Sequence, residues 1–130
     1  MGQENPRAVV LDAGALIAFE RGDARMRALC REALRIRARL VIPAGVVAQV
    51  WRNPARQVPV RALLAGGTTE VPALDQILAE AAGVLCGRTG TSDVVDASVV
   101  LTARREHAVV VTSDVADLKR LDPDLVVERI

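Results

Sequence analysis

The sequence has almost no aromatic side chains. Phe19 and Trp51 are the only two among 130 residues, and tyrosine is absent. Nucleic-acid-binding modules that stack bases on aromatic rings need several such residues on one surface. The composition therefore argues against a base-stacking platform of the RRM or OB type.

Cysteine and histidine are also scarce, and no long apolar run occurs. Cys30 and Cys86 stand far apart in helical patterns with apolar neighbours, so we expect two reduced core cysteines. His107 is the only histidine, so a Cys/His metal spacing is excluded. The apolar runs are too short for a membrane span, and the polar segment 1–7 predicts no signal peptide. We therefore expect a cytoplasmic protein.

What the sequence does contain suits one globular domain over residues 1–130. Hydrophobic residues make up 51% and charged residues 25%, which is enough for a core without disulfide or metal staples. The net charge of +1 is unevenly spread, since residues 21–61 hold ten arginines and two acids, and residues 70–130 hold eleven acids and six bases. This asymmetry suits a surface that faces a polyanion beside a separate acidic site, although solvated helix faces would look the same.

Short apolar runs alternate with helical patterns along the chain. Runs typical of buried strands occur at residues 8–11, 40–42, 69–71, 108–111 and 125–128. The helical patterns lie at residues 15–20, after the N-cap candidate Asp23, and at 43–53, 58–64, 74–86, 93–106 and 115–121. Strands that alternate with helices predict an α/β fold with a parallel sheet covered on both faces.

Aspartates follow two of the predicted strands and begin the helices near them. Asp12 comes directly after the first strand, and Asp114 follows the strand at 108–111. Asp93 and Asp96 share one face at a helix start, and Asp117 lies three residues after Asp114. Because sites form at the carboxyl ends of parallel strands, these carboxylates are expected to meet there.

Carboxylates that meet repel one another unless a cation joins them, and oxygen ligands select Mg²⁺ or Mn²⁺. Such a centre activates water for attack on a phosphodiester. Each aspartate also has a purely structural interpretation, because Asp93, Asp96 and Asp114 all stand where a helix N-cap or first-turn acid is favoured. Only the joint pattern over two strand ends and one helix start favours a metal site.

Three segments of the chain resemble the PIN domain family, and within it the VapC-type toxins of toxin–antitoxin pairs. They are AVVLDAGALIA (8–18), TSDVVDASVVLTA (91–103) and VVVTSDVADL (109–118), in the family's order and over nearly the whole length. The resemblance implies a three-layer α/β/α sandwich with a central parallel sheet. It implies a Mg²⁺- or Mn²⁺-dependent endoribonuclease that forms a homodimer and is blocked by a small antitoxin protein.

The resemblance also assigns roles to individual residues. The family's catalytic, metal-binding aspartates fall on Asp12, Asp96 and Asp114, and Asp93 and Asp117 match further acidic ligands of some members. The family's hydroxyl beside the last motif falls on Thr112 or Ser113, and these two residues and Gln49 are expected to contact substrate. Arg52 lies three residues after Gln49 on the same predicted helix face and is a candidate for a phosphate contact, with a solvated surface arginine as the alternative.

The sequence departs from the family pattern at two positions. Gln49 stands where the family usually has glutamate, so the site has one anion less and its metal affinity is expected to fall. Gly14 stands where the family's D-x-S motif has a hydroxyl. These departures concern catalytic strength and leave the expected fold unchanged.

The sequence lacks the motifs of phosphotransfer enzymes. A haloacid-dehalogenase-type phosphatase needs a second aspartate at position 14, and a receiver domain needs a late strand-end lysine, whereas Lys119 is the only lysine and lies in a helical pattern. No G-x-x-x-x-G-K-[ST] loop for nucleotide phosphates occurs. The remaining alternative is a PIN-like domain with a weak or inactive site that binds RNA or a protein.

Overall fold

The computed structural model describes residues 8–130 and contains five strands and seven α-helices within them. Residues 1–7, where no signal peptide was predicted, lie outside the described residues. The elements in chain order are β1 (Ala8–Leu11), α1 (Ala13–Glu20), α2 (Ala24–Arg35), β2 (Arg39–Val41), α3 (Ala44–Val50), a 3₁₀ helix (Pro54–Arg56), α4 (Val58–Leu64), β3 (Thr69–Glu70), α5 (Gln76–Thr89), α6 (Val94–Glu106), β4 (Val109–Thr112), α7 (Val115–Leu121) and β5 (Val127–Arg129).

The strands form one sheet in the order β3-β2-β1-β4-β5, and every pair is parallel. The chain moves outward from β1 to β3, crosses back to β4 and then continues to β5. Because crossovers between parallel strands are right-handed, the reversal puts α1–α4 on one face and α5–α7 on the other. The predicted α/β class with a parallel sheet is confirmed, and the sheet order reverses between β1 and β4, where ligands bind in such folds.

The core lies on both faces of the two central strands. Val10, Leu11 and Val110 are completely buried, which explains why β1 and β4 appear in the sequence as continuous apolar runs. Cys30 and Cys86 are buried and unpaired, as the sequence predicted. In the described part of the chain, no helix combines the length and the apolar character needed to cross a membrane.

The boundaries of several elements differ from those predicted. The helix expected over residues 43–53 ends at Val50, because Trp51 is extended and a 3₁₀ helix begins at Pro54. The buried amide of Gln57 holds this corner: its oxygen accepts the backbone N–H groups of Arg52 (2.8 Å) and Asn53 (2.9 Å), and its nitrogen donates to the carbonyl of Val50 (2.9 Å).

Other boundaries move by one to three residues. The helix expected to end at Cys86 continues to Thr89 and ends at Gly90, whose φ of 72° is accessible to glycine at little cost. The strands expected at 40–42, 69–71, 108–111 and 125–128 are found at Arg39–Val41, Thr69–Glu70, Val109–Thr112 and Val127–Arg129.

Candidate metal centre

Asp12 lies at the carboxyl end of β1 and is the only aspartate that is buried in the described chain, with 3% of its surface exposed. Its backbone N–H donates to the carbonyl of Val111 (3.3 Å), which extends the pairing of β1 with β4 by one residue. Its Oδ1 accepts the backbone N–H of Ala15 (2.9 Å) as the N-cap of α1. The cap fixes one carboxylate oxygen at the carboxyl edge of the sheet.

Thr112 connects Asp12 to Asp114. Its side chain is completely buried, and its Oγ1 accepts the backbone N–H of Asp114 (2.7 Å). The same hydroxyl lowers the pKa of Asp12 by hydrogen-bonding to its carboxylate. Asp114 occupies the N-cap position of α7, but its side chain makes no capping bond. The structural interpretation of Asp114 as a helix cap therefore does not account for its carboxylate.

The other predicted aspartates lie at the start of α6 and in the first turn of α7. Asp93 is the N-cap of α6, and its Oδ1 accepts the backbone N–H of Asp96 (2.9 Å), so its predicted capping role is real. The side chain of Asp96 is half-buried, whereas Asp93, Asp114 and Asp117 are exposed. The two helices thus bring carboxylates to the edge of the sheet where Asp12 lies.

Electrostatics shows that the five aspartates form one cluster. Partial burial is the largest of the causes that raise the pKa of Asp96 to about 7, and the negative charges of Asp93, Asp12, Asp117 and Asp114 contribute the rest in that order. The pKa of Asp12 is also raised, chiefly by burial and to a smaller extent by Asp114. The sequence predicted that these residues meet, and in the structure the charges of the other four aspartates act on Asp96.

The carboxylates of the cluster suit a hard divalent cation, but their side chains do not surround a single point. Within residues 8–130, no three His, Cys, Asp or Glu side chains stand in positions that could hold a metal ion as they are. The repulsion that acts on Asp96 is the expected state of such a cluster without a cation. Carboxylate oxygens from Asp12, Asp96 and Asp114 are the ligands that Mg²⁺ and Mn²⁺ prefer.

Gly14 and Ser113 approach each other closely beside Asp12. A Cβ atom placed on Gly14 would lie 2.3 Å from the Oγ of Ser113 and 3.5 Å from the Oδ1 of Asp12. The hydroxyl of Ser113 therefore occupies the space that a side chain at position 14 would need. The family hydroxyl that is missing at position 14 has a neighbouring hydroxyl in its place, from the loop after β4.

Gln49 and Arg52 line one groove with Ile17 and Arg21, and the side chain of Gln49 is exposed. The Nη1 of Arg52 donates to the carbonyls of Ala48 (2.7 Å) and Trp51 (2.8 Å). Both side chains therefore stand in the lining of a groove, as a contact with substrate would require.

Two residues that the sequence analysis passed over contribute to the same region. Arg21 follows α1 and lines the groove next to Gln49, and the amide of Gln57 orders the corner that carries Arg52. A lone buried glutamine in a polar segment gives no periodic signal, so only the three-dimensional structure reveals it. His107 is exposed at the C-terminal end of α6.

The chain is similar to a known protein family in sequence and to solved structures in fold. The family model of the PIN domain matches residues 9–122. A comparison with curated protein sequences gave no match. Among solved structures, the chain is similar to VapBC2 from Rickettsia felis bound to a DNA fragment from their promoter, with a TM-score of 0.72 and 16% identity over 95% of this chain and 98% of that one.

Two further solved structures share the fold. One is FitAB bound to the IR36 DNA fragment, with a TM-score of 0.64 and 15% identity over 93% of this chain and 94% of that one. The other is FitAcB from Neisseria gonorrhoeae, with a TM-score of 0.61 and 17% identity over 92% and 95% of the two chains. The family model covers most of the sequence, and the chain belongs to the PIN domain family.

Proposed function

We propose that this protein is a Mg²⁺- or Mn²⁺-dependent endoribonuclease, and that it is the toxin of a type II toxin–antitoxin pair. The observation that carries the proposal is the convergence of five aspartates from three chain segments at the carboxyl edge of the sheet, around the buried Asp12. Membership of the PIN domain family supports nuclease chemistry at this edge.

In this proposal, Asp12, Asp96 and Asp114 hold the cation, with Asp93 and Asp117 as further carboxylates around it. When bound, the cation neutralises the cluster, polarises the scissile phosphate and supplies activated water. The hydroxyl of Thr112 hydrogen-bonds to the carboxylate of Asp12 and accepts the backbone N–H of Asp114. One buried side chain therefore orients two of the proposed ligands.

The proposed partners follow from the solved structures that share the fold. These are VapBC and FitAB assemblies bound to DNA, and a FitAcB complex, so the relatives are found with a second protein. We extend this to the present chain as a homodimer that is inhibited by a small antitoxin protein. An RNA substrate and two unpaired cysteines both fit a protein of the cytoplasm.

The nuclease proposal is tested by RNA cleavage with added Mn²⁺, using Asp12→Asn and Asp122→Asn as a matched pair. Asp122 is also an aspartate, but its carboxylate pairs with the Nε of Arg104 at 3.0 Å and lies outside the cluster. We expect Asp12→Asn to abolish cleavage and Asp122→Asn to retain it. Equal activity in the two variants would overturn the assignment of the site.

One observation favours a second candidate, a PIN domain that binds RNA or protein with little or no turnover. Within residues 8–130, no three carboxylates are positioned to hold a metal ion together. In addition, Gln49 replaces the glutamate that the family usually has. This candidate predicts RNA binding without cleavage, unchanged by Asp12→Asn. Gln49→Glu then provides the sharper test, because a gain in Mn²⁺ affinity by calorimetry would show that position 49 limits the site.

A further inference from the structure

Two adjoining cavities run along the exposed side of α1. The first, of about 420 Å³, begins at Gly14 and Ser113 and reaches Ile17 and Arg21. The second, of about 660 Å³, begins at Ile17 and Arg21 and ends at Gln49, Arg52 and Arg56. The two cavities share Ile17 and Arg21 in their lining and therefore adjoin, and we call the pair the α1 trough.

The α1 trough starts next to the candidate metal centre. Gly14 and Ser113 line this end, and the point where the Cβ of residue 14 would stand lies 3.5 Å from the Oδ1 of Asp12. From there the trough follows α1, whose eight residues correspond to about 12 Å. The trough therefore begins beside Asp12 and leads away from it along α1.

The arginines of the α1 trough are not engaged in ion pairs. Five arginines elsewhere form salt bridges with acidic side chains, whereas within residues 8–130 none joins Arg21, Arg52 or Arg56 to a carboxylate. The guanidinium of Arg52 is instead held by two backbone carbonyls, at 2.7 and 2.8 Å, which costs it none of its charge. These cations remain available to a ligand.

Acidic side chains in the α1 trough are fewer than the arginines. Glu20 lines the second cavity and Asp23 the first, so three positive charges face two negative ones. The carboxylate of Asp23 is occupied as the N-cap of α2, where it accepts the backbone N–H of Met26 at 2.8 Å. The balance is positive beside a cluster of five aspartates, and it suits a ligand whose charge is negative all along its length.

We propose that the α1 trough binds the phosphates of the RNA strand that flank the cleaved bond. This inference rests on the proposed function and adds where the substrate lies. Arg21 contacts the phosphate nearer to the carboxylates, and Arg52 and Arg56 contact the next ones, with Gln49 and Ser113 as polar neighbours. Because the trough contains no aromatic ring, its contacts are with the backbone and carry little base specificity.

The test measures the affinity for a fluorescein-labelled single-stranded 20-nucleotide RNA by anisotropy at several KCl concentrations. Wild-type protein in EDTA and Asp12→Asn in Mg²⁺ serve as two non-cleaving backgrounds, so the result does not depend on one variant. We expect Arg21→Gln/Arg56→Gln to weaken binding about tenfold and to reduce the slope of log Kd against log salt by about 1.4, which corresponds to two single-strand phosphate contacts.

The matched control is Arg31→Gln/Arg88→Gln, which removes the same charge from exposed arginines outside the trough. We expect this pair to leave the salt slope unchanged, with circular dichroism showing that all variants fold. Equal effects of the two pairs, or no RNA binding by the wild type, would overturn the inference. Displacement of RNA by poly-glutamate at equal charge concentration would overturn RNA as the occupant in favour of an acidic protein segment.

The outcomes separate this inference from the proposed function. RNA affinity that depends on Arg21 and Arg56 in a protein that never cleaves RNA supports the trough and overturns the nuclease. Normal cleavage with unchanged affinity and salt slope in Arg21→Gln/Arg56→Gln overturns the trough and leaves the nuclease in place.

Discussion

The acidic side chains at the two ends of α6 differ in whether they form ion pairs. At its C-terminal end Arg39 pairs with Glu106 at 2.8 Å and with Glu70 at 2.9 Å, and Arg104 pairs with Asp122 at 3.0 Å. At its N-terminal end the carboxylates of Asp93 and Asp96 form no ion pair with any arginine or lysine of residues 8–130.

The difference separates structural charge from functional charge. Acids paired with arginine lower the energy of the fold modestly and need no ligand. Acids that face only other acids raise the energy of the fold, and such a cluster is retained where a cation or a reaction needs it. Glu106, at the C-terminal end of α6, is therefore a matched control for Asp96 at the N-terminal end of the same helix.

The largest expected effect is on RNA cleavage. We expect Asp96→Asn to reduce Mn²⁺-dependent cleavage by roughly a thousandfold, about 4 kcal/mol of transition-state stabilisation, because it removes a ligand from the cluster. Glu106→Gln, at the other end of the same helix, should leave the rate within about twofold. Comparable losses in both variants, measured under single-turnover conditions, would mean that α6 matters only for folding.

The second effect is on stability, and it has opposite signs at the two ends. In EDTA, Asp96→Asn should raise the free energy of unfolding by about 1 kcal/mol, after allowance for solvent screening of this half-exposed side chain, because it removes a charge that is disfavoured by burial and, to a smaller extent, by the neighbouring aspartates. Glu106→Gln should lower it by up to about 1 kcal/mol, because Arg39 loses a partner. Urea unfolding measures both, and a loss of stability in Asp96→Asn would contradict the comparison.

The third prediction concerns pH. The pKa of Asp96 is raised to about 7 in the folded protein, so the unfolded state binds fewer protons between about pH 4 and 7 and stability falls as the pH rises through that range. The pKa of Glu106 is lowered, chiefly by its hydrogen bond from Arg39, so its contribution is present at neutral pH and is lost as the pH falls through its folded pKa.

The thermal unfolding temperature in EDTA should therefore be highest on the acid side of neutrality. Added Mn²⁺ should remove the decline in this temperature towards pH 7. Asp96→Asn flattens the neutral side of the profile, and Glu106→Gln flattens the acid side. A profile in EDTA that rises steadily from pH 5 to 7 would show that the carboxylates at the N-terminal end of α6 do not repel one another.

The fold could be predicted largely from hydrophobic pattern. The strand at Ala8–Leu11 and the helices at Val58–Leu64 and Val115–Leu121 were predicted to the residue, since each is a short apolar or amphipathic run with clear punctuation. The helix expected over residues 43–53 failed because its end is set by the amide of Gln57 from beyond the segment. Periodicity does not report such tertiary hydrogen bonds.

The candidate site was predictable for a different reason. Asp12 and Asp114 come together because parallel strands put their carboxyl ends on one edge, and Asp96 joins them from the start of α6. The environment of Gln49 and the approach of Ser113 to Gly14 depend on where side chains point after packing. The sequence therefore predicted at which edge of the sheet the carboxylates lie, but not how the neighbouring side chains pack around them.

The smallest predicted effect probes that arrangement at Gly14. Alanine in the first turn of α1 should stabilise the helix by about 0.5–1 kcal/mol relative to glycine. In this protein the new Cβ would meet the Oγ of Ser113 at 2.3 Å, so the hydroxyl must rotate away and most of the gain is lost.

In a Ser113→Ala background the gain should appear in full, because the Cβ of residue 113 lies at an ordinary contact distance of 3.5 Å. A double-mutant cycle by urea unfolding should therefore give a coupling of about 0.5 kcal/mol between positions 14 and 113. The exposed side chain of Ser113 turns easily, which keeps the coupling small. Equal stabilisation by Gly14→Ala in both backgrounds would show that the two residues do not share the space beside Asp12.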